Sequence, residues 1–246
     1  MRDVLFLLGH TLKAEGPKQW YEYDDGDERL AHDRKLIAAP YPSLRFGLNF
    51  KTKLIFLEGA LTLRSDCGVP TEIPIRIVFP PDYPETELVA LDKSGLFRHI
   101  ADRHFYKDGR CCLWLPPESQ WNGNDLDALR SFLDQVALFF ERQLILDADP
   151  SGAWAWGRRG HGVTGYIEFI QEQLGEDARL IGIFSDALVG AVTISARAKC
   201  PCESGRPFKR CHGPIIDRLK GRMGGEFLEK VLRTAEEDPR EKVMTQ

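Results

Sequence analysis

The chain has little of what would place it in a membrane or on a nucleic acid. No hydrophobic run approaches the roughly 20 residues a bilayer-spanning helix needs. The N-terminal stretch MRDVLFLLGHTLKAEG holds only five consecutive apolar residues, Val4 to Leu8, with no small-residue cleavage site after them, so it is not expected to be a secretory signal. An excess of positive charge is also missing. With 33 Lys and Arg against 37 Asp and Glu, the net charge is -4, which gives no nucleic-acid footprint. No glycine-rich nucleotide-binding loop is present either. The 6 cysteines cluster in motifs and leave Cys67 alone, which suits a reducing cytosol better than a disulfide framework. These absences predict a soluble, cytoplasmic protein. At 246 residues, one sizeable core with an appendage is the natural arrangement.

Chemistry concentrates in the stretch RHFYKDGRCCLWLPPESQW, from Arg103 to Trp121. Asp108-Gly109 marks a turn, because glycine takes a positive φ without the clash of a β-carbon. Cys111 and Cys112 leave that turn side by side. On an extended segment neighbouring side chains point to opposite faces, so one thiol faces the core and the other faces out. Leu113 and Trp114 anchor the far side, and Pro116-Pro117 is expected to hold an extended segment that brings Gln120-Trp121 back over the site. The alternative is that both cysteines are simply small buried hydrophobes.

The surrounding pattern predicts a helix from Asp27, its N-cap, to Ala39, ended by Pro40 and Pro42. Four extended segments follow: Leu44 to Phe50, Leu54 to Leu63, Ile73 to Phe79 and Leu88 to Leu91. Ile73, Ile75, Ile77 and Phe79 alternate strictly, and the connections are too short for crossover helices, so the strands form an antiparallel meander. Phe79-Pro80-Pro81-Asp82-Tyr83-Pro84 is a rigid, donor-poor turn. Asn124 to Leu146 carries Leu126, Leu129, Phe132, Leu133, Val136, Phe139, Phe140 and Leu144 at helical spacing, one wide apolar stripe. PSGAWAWGRRGHGVTG, residues 150 to 165, reads as a surface loop whose Arg158, Arg159 or His161 can border the site, and it leads to a helix from Val163 to Leu174.

The segment Gly109-Arg110-Cys111-Cys112-Leu113, with the later Trp121, resembles the catalytic segment of ubiquitin-conjugating enzymes. The turn at 79 to 84 is similar to their Phe-Pro-x-x-Tyr-Pro element. Helix, meander, turn and cysteine segment occur in the family's order, and the resemblance covers about residues 27 to 175. It implies that Cys111 fills an apolar slot and that Cys112 is the nucleophile. Eight residues before the nucleophile the family uses an asparagine to stabilise the oxyanion, and here His104 stands there. A neutral imidazole can donate one N–H to an oxyanion, or it can merely order the turn.

Near the C-terminus, KCPCESGRPFKRCHG places Cys200, Cys202, Cys211 and His212 with tetrahedral-zinc spacing, and Ser204-Gly205 and Pro207 supply the turns. The stretch resembles the SEC-C zinc motif known from the tail of the bacterial SecA translocation ATPase. Four protein ligands leave no open position, so the zinc is expected to be structural, stapling a tail too small for its own core. Arg197, Lys199, Arg206, Lys209 and Arg210 make this module basic. Helices broken at Gly224-Gly225 are expected between Ile215 and Leu232.

The expected fold is therefore α+β: a ubiquitin-conjugating-enzyme-like four-stranded antiparallel sheet flanked by helices, residues 1–175, then a linker or extra element, 176–198, and a zinc-bound module, 199–246. The resemblances imply a bacterial acyltransferase. Its Cys112 would accept the C-terminus of a modifier, a ubiquitin-like protein or a CD-NTase-type nucleotidyltransferase of a CBASS antiphage operon. A separate activating enzyme would load it, and a lysine amine on a target protein would take the acyl group. A non-catalytic binding module for a ubiquitin-like protein is the alternative. A cysteine hydrolase using His104 as base is a third reading.

Overall fold

A computed structural model describes residues 28–64, 70–149, 160–175 and 177–237. Cys67, Arg158, Arg159 and the expected N-cap Asp27 lie outside the described residues. The chain divides into two compact units. One carries the sheet. The other comprises the region from residue 157 onward together with Leu115–Pro117.

The sheet-bearing unit is α+β. Helix α1 (Glu28–Ala38) buries Leu30, Asp33 and Ile37, one face at helical spacing. Strands β1 (Arg45–Asn49), β2 (Leu54–Arg64), β3 (Pro70–Val78) and β4 (Val89–Asp92) form an antiparallel meander in the order β1-β2-β3-β4. Ile73, Ile75 and Ile77 alternate onto the inner face and are fully buried. Ile73 lies opposite Leu61 and Ile77 opposite Leu57, so branched side chains meet across the ladder. On the outer face the register puts Glu58 opposite Arg76, and the two form an ion pair at 2.6 Å. Gly59 cannot be replaced freely: a Cβ there would stand 2.1 Å from the Ser43 carbonyl oxygen. Helix α2 (Ala128–Ala148) covers the inner face with Leu129, Phe132, Leu133, Val136, Phe139 and Phe140. Its stripe is the one visible in the sequence except at Leu126, which is exposed and precedes the helix, whose start lies four residues after Asn124.

One buried carboxylate ties three parts of this unit together. Asp33 accepts a hydrogen bond from the Tyr83 hydroxyl at 2.6 Å and pairs with Arg29 at 3.1 Å. Arg29 also donates to the Gly123 carbonyl oxygen at 2.8 Å, and Trp121 Nε1–H donates to the Pro84 carbonyl oxygen at 2.8 Å. The proline-rich turn, α1 and the loop before α2 are thereby fixed as one block. Burial pushes the Asp33 carboxyl up, while Tyr83 and Arg29 pull it back toward the ionised form.

The second unit is helical and has a core of its own. Helices α3 (Val163–Leu174), α4 (Arg179–Val189), α5 (Gly213–Met223) and α6 (Gly225–Glu237) surround it. Phe169, Ile170, Phe184, Leu188, Leu219 and Leu228 are among its buried residues, and Cys200 and Phe208 join them. The tail expected to be too small for its own core shares this one with α3 and α4. Helix α3 packs in this unit, and the stretch 176–198, expected as a linker or extra element, contains α4. Leu180, Phe184, Ala187 and Leu188 lie at helical spacing, so the signal for α4 was present in the sequence.

Replacing Asp33 with Ala leaves the Arg29 guanidinium and the Tyr83 hydroxyl without their shared acceptor, and is expected to cost about 3 kcal/mol. Tyr83→Phe is expected to cost about 1 kcal/mol. Urea denaturation followed by tryptophan fluorescence measures both. Losses of similar size for the two variants would remove Asp33 from the centre of this network.

Candidate functional site

The cysteine segment is attached to the free edge of β4. Asp92 N–H donates to the Gly109 carbonyl oxygen and Cys111 N–H to the Ala90 carbonyl oxygen, both at 2.9 Å. On its other side the segment folds on itself: Phe105 bridges Cys111, and Cys112 N–H donates to the His104 carbonyl oxygen at 2.7 Å. Gly109 takes φ 87°, as the Asp108-Gly109 turn requires. The turn is braced from below by Asp92, whose side chain is fully buried. Asp92 accepts from Ser94 N–H at 2.8 Å and Ser94 Oγ–H at 2.6 Å, and pairs with His99 Nε2 at 2.8 Å. A Cβ on Gly109 would come within 3.0 Å of the His99 ring.

The two thiols have different surroundings. Cys111 packs against the main core together with Leu113 and Trp114. Burial, with the nearby Asp92 carboxylate, pushes its thiol well above the ordinary range. Cys112 has its Sγ 3.9 Å from the Trp114 carbonyl oxygen. Burial raises its thiol and the Glu118 carboxylate adds to the rise, but a hydrogen bond from the Tyr106 hydroxyl favours the thiolate. Tyr106 is itself pushed up to about 12 by burial and by Cys112, so at neutral pH it remains a phenol able to donate. Its ring lies under the Arg110 guanidinium, 4.5 Å from the ring centre, and Arg110 pairs with Asp108 at 2.9 Å. Tyr106 went unnoticed in the sequence, where its aromatic ring beside the turn was the only signal.

His104 is the left-handed cap of a short 3₁₀ turn, Ala101–Arg103, with φ 55°. Its backbone is committed at both ends: its N–H donates to Ala101 and its carbonyl accepts from Cys112. The turn is anchored to α2, where Arg103 Nε donates to Gln143 Oε1 at 3.0 Å and Gln143 Nε2 donates back to the Arg103 carbonyl at 2.9 Å. His104 and Cys112 are thus joined through the backbone.

The expected extended segment at Pro116-Pro117 is instead a 3₁₀ turn, Pro116–Glu118. Proline's fixed φ fits the first position of a helical turn as well as an extended one. Trp121 packs its ring on the core, its ring centre 6.0 Å from that of Tyr83 and 6.2 Å from that of Phe132. His161 belongs to the helical unit.

In that unit Cys200, Cys202, Cys211 and His212 offer four ligand atoms within 4.8 Å of one another. Cys200 Sγ and Cys211 Sγ lie 3.4 and 3.3 Å from His212 Nδ1, and Cys202 Sγ lies 3.5 Å from Cys211 Sγ. A tetrahedral zinc with bonds of about 2.0 to 2.3 Å sets its ligands roughly 3.5 Å apart, so the set fits the ion. The imidazole is oriented by its other nitrogen: Nε2 lies 2.8 Å from the Leu174 carbonyl oxygen. A carbonyl can only accept, so Nε2 carries the proton and Nδ1 is left as a lone-pair donor facing the thiols. Ser204 Oγ lies 3.2 Å from Cys202 Sγ and 3.4 Å from Cys211 Sγ, placed to hydrogen-bond both.

Residues 198–214 match the SEC-C motif. That motif is of a zinc-binding type, and the Cys/His cluster it contains here can hold the ion. No curated protein and no solved structure matches the chain.

Because both thiols are raised, alkylation by iodoacetamide is expected to be slow at pH 7 and to accelerate as the pH rises toward and past 9, Cys112 ahead of Cys111. Tyr106→Phe removes the bond that favours the thiolate and is expected to slow Cys112 alkylation at pH 8 about fivefold. Mass spectrometry of the peptide containing both cysteines follows each site. Faster modification of Cys111 would reverse the two environments.

Proposed function

We propose that the sheet-bearing unit is a protein-modifier conjugating domain whose nucleophile is Cys112. The observation that carries this reading is the asymmetry of the cysteine pair: both are half-buried, but Cys111 packs against the core, whereas Cys112 has a hydroxyl donor, Tyr106, on its sulfur. The likeness of the cysteine segment and of the proline-rich turn to ubiquitin-conjugating enzymes supports it. The Cys112 thiolate attacks the activated C-terminal carbonyl of a modifier, supplied by a separate activating enzyme, and expels that carrier to leave a thioester. A target lysine amine, deprotonated as it attacks, then displaces the thiolate. An isopeptide bond forms and the free thiol is regenerated. A thioester keeps its carbonyl open to an amine, which suits the transfer. The modifier class that fits is a ubiquitin-like protein or a CD-NTase-type nucleotidyltransferase, in a bacterial defence setting.

The helical unit is proposed to bind one structural zinc through Cys200, Cys202, Cys211 and His212. The ion would hold the Cys200–Cys211 loop closed and, through His212, fix the end of α3.

Cys112→Ala is expected to abolish a reductant-sensitive adduct with the modifier, and Cys111→Ala to spare it. Timing loading and discharge separately tests His104: His104→Ala should slow discharge about 10²-fold, and His104→Asn should restore part of the rate if the imidazole donates to the oxyanion. A Cys112→Ala protein that still forms the adduct would end the thioester reading.

Purified protein is expected to carry about one zinc per chain. Cys200→Ser or Cys211→Ser should release it and loosen the helical unit, with the sheet-bearing unit still folded. Hydrogen exchange across residues 160–237 reads this directly, and a metal-free protein with the same protection would remove zinc from the fold.

A further inference from the structure

The apolar inner face of β1 runs out from the core into solvent. Phe46 and Leu48 lie opposite the buried Leu57 and Ile55, so both are on the core side of the sheet. Phe46 is half-buried, with the Arg34 guanidinium and the Phe79 ring each 5.6 Å from its ring centre. Leu48 is 36% exposed. Phe50, at the tip of the β1–β2 hairpin, is 77% exposed, the most of any large hydrophobic side chain among the described residues. The tip is nevertheless held in one shape. Asn49 Oδ1 accepts Lys51 N–H at 3.0 Å and Thr52 N–H at 3.2 Å, Lys53 N–H returns to the Asn49 carbonyl oxygen at 2.7 Å, and Lys53 takes a left-handed φ of 57°. An apolar stripe that continues from the core onto a fixed, exposed tip is a surface suited to being covered.

What covers it follows from where the chain enters this unit. Helix α1 begins at Glu28, and its first turn lies at the same end of the sheet: Arg29 sits over the Tyr83 ring, Tyr83 packs on Phe79, and Phe79 N–H bonds the carbonyl oxygen of Ile55, the residue opposite Leu48. Residues 20–27, with the sequence WYEYDDGD, lead directly into that turn. Eight extended residues reach about 27 Å, well beyond the roughly 14 Å across four strands. Their composition complements the stripe. Trp20, Tyr21 and Tyr23 supply aromatic rings, and Glu22, Asp24, Asp25 and Asp27 supply carboxylates with no basic residue among them. Lys51 and Lys53 flank Phe50, both are exposed, and neither pairs with a carboxylate among the described residues. We propose that residues 20–27 of this chain cover the β1 stripe, with aromatic side chains on Leu48 and Phe50 and carboxylates toward Lys51 and Lys53. A second copy of the chain is a poorer occupant, because two such tips face to face would bring four lysines together. Cys112 has no part in this contact, which stands apart from the thioester reading.

The test uses the full-length protein with the photo-reactive residue p-benzoylphenylalanine at position 50, irradiated in dilute solution and mapped by peptide mass spectrometry. Crosslinks within one chain to residues 20–27 are expected, and the charge reversal Lys51→Glu with Lys53→Glu should lower their yield. Crosslinks only between chains would give the stripe to a second copy, and crosslinks only elsewhere in the chain, or none, would leave residues 20–27 off it; each result overturns the proposal. Fluorescence supplies a second reading. The contribution of Trp20, isolated by subtracting the spectrum of Trp20→Phe, should lie at shorter wavelength than that of a solvent-exposed indole and move to longer wavelength in Phe50→Ala. Phe50 is exposed, so its truncation leaves the fold intact. Ile145→Ala, which removes another exposed apolar side chain, in the last turn of α2, should leave the Trp20 signal unchanged. A Trp20 signal that Phe50→Ala does not move would also overturn the assignment.

Discussion

The candidate site depends on the register in which residues 109–111 lie along β4. Two backbone bonds set it, Asp92 N–H to Gly109 and Cys111 N–H to Ala90. Side chains alternate faces along such a segment, so a slip by one residue would exchange the surroundings of the two half-buried thiols. Which thiol lies against the core and which beside the Tyr106 hydroxyl is therefore a question of register, since the two residues are the same amino acid in neighbouring positions. Gly109 is part of that constraint, because its φ of 87° disfavours a side chain and a Cβ there would press on the His99 ring and the Asp92 carbonyl.

Buried polar groups keep the register from drifting. Asp92 holds the turn from one side through Ser94 and His99, and the paired Arg103 and Gln143 hold the 3₁₀ turn from the other. Between them Phe105 stacks into an aromatic cluster with Phe97, Phe139 and Phe140. The Asp33 network acts in the same way at the proline-rich turn. Each of these groups would be expensive to bury alone, so each admits few alternative arrangements once its partners are in place.

The helical unit combines two sources of order. Its apolar core includes Cys200 and Phe208 from the motif itself, so the metal-ligating loop and the helices are packed together. His212 links them a second time, presenting one nitrogen to the thiols and the other to the end of α3. Ligand geometry and helix packing are consequently coupled, and metal binding would be felt throughout the unit. Arg197, Lys199, Arg206, Lys209 and Arg210 remain exposed around it.

Much of this was legible in the sequence, where the determining forces are local. The alternation of Ile73, Ile75 and Ile77 and the apolar stripe of α2 report periodicities that follow from backbone geometry alone, and the spacing of Cys200, Cys202, Cys211 and His212 reports a coordination shape. Strand order followed as well, since short connections permit only neighbours to pair. Other features were decided only by contacts distant in the chain. Pro116-Pro117 became a 3₁₀ turn because proline's φ is compatible with either conformation and tertiary packing made the choice. The α3 helix joined the second core because an apolar stripe specifies that a face is buried without specifying against what. Tyr106 and Glu87 acquired their surroundings in the same way: a side chain's partners across 6 or 27 residues, Cys112 and Trp114, exist only once the chain has folded.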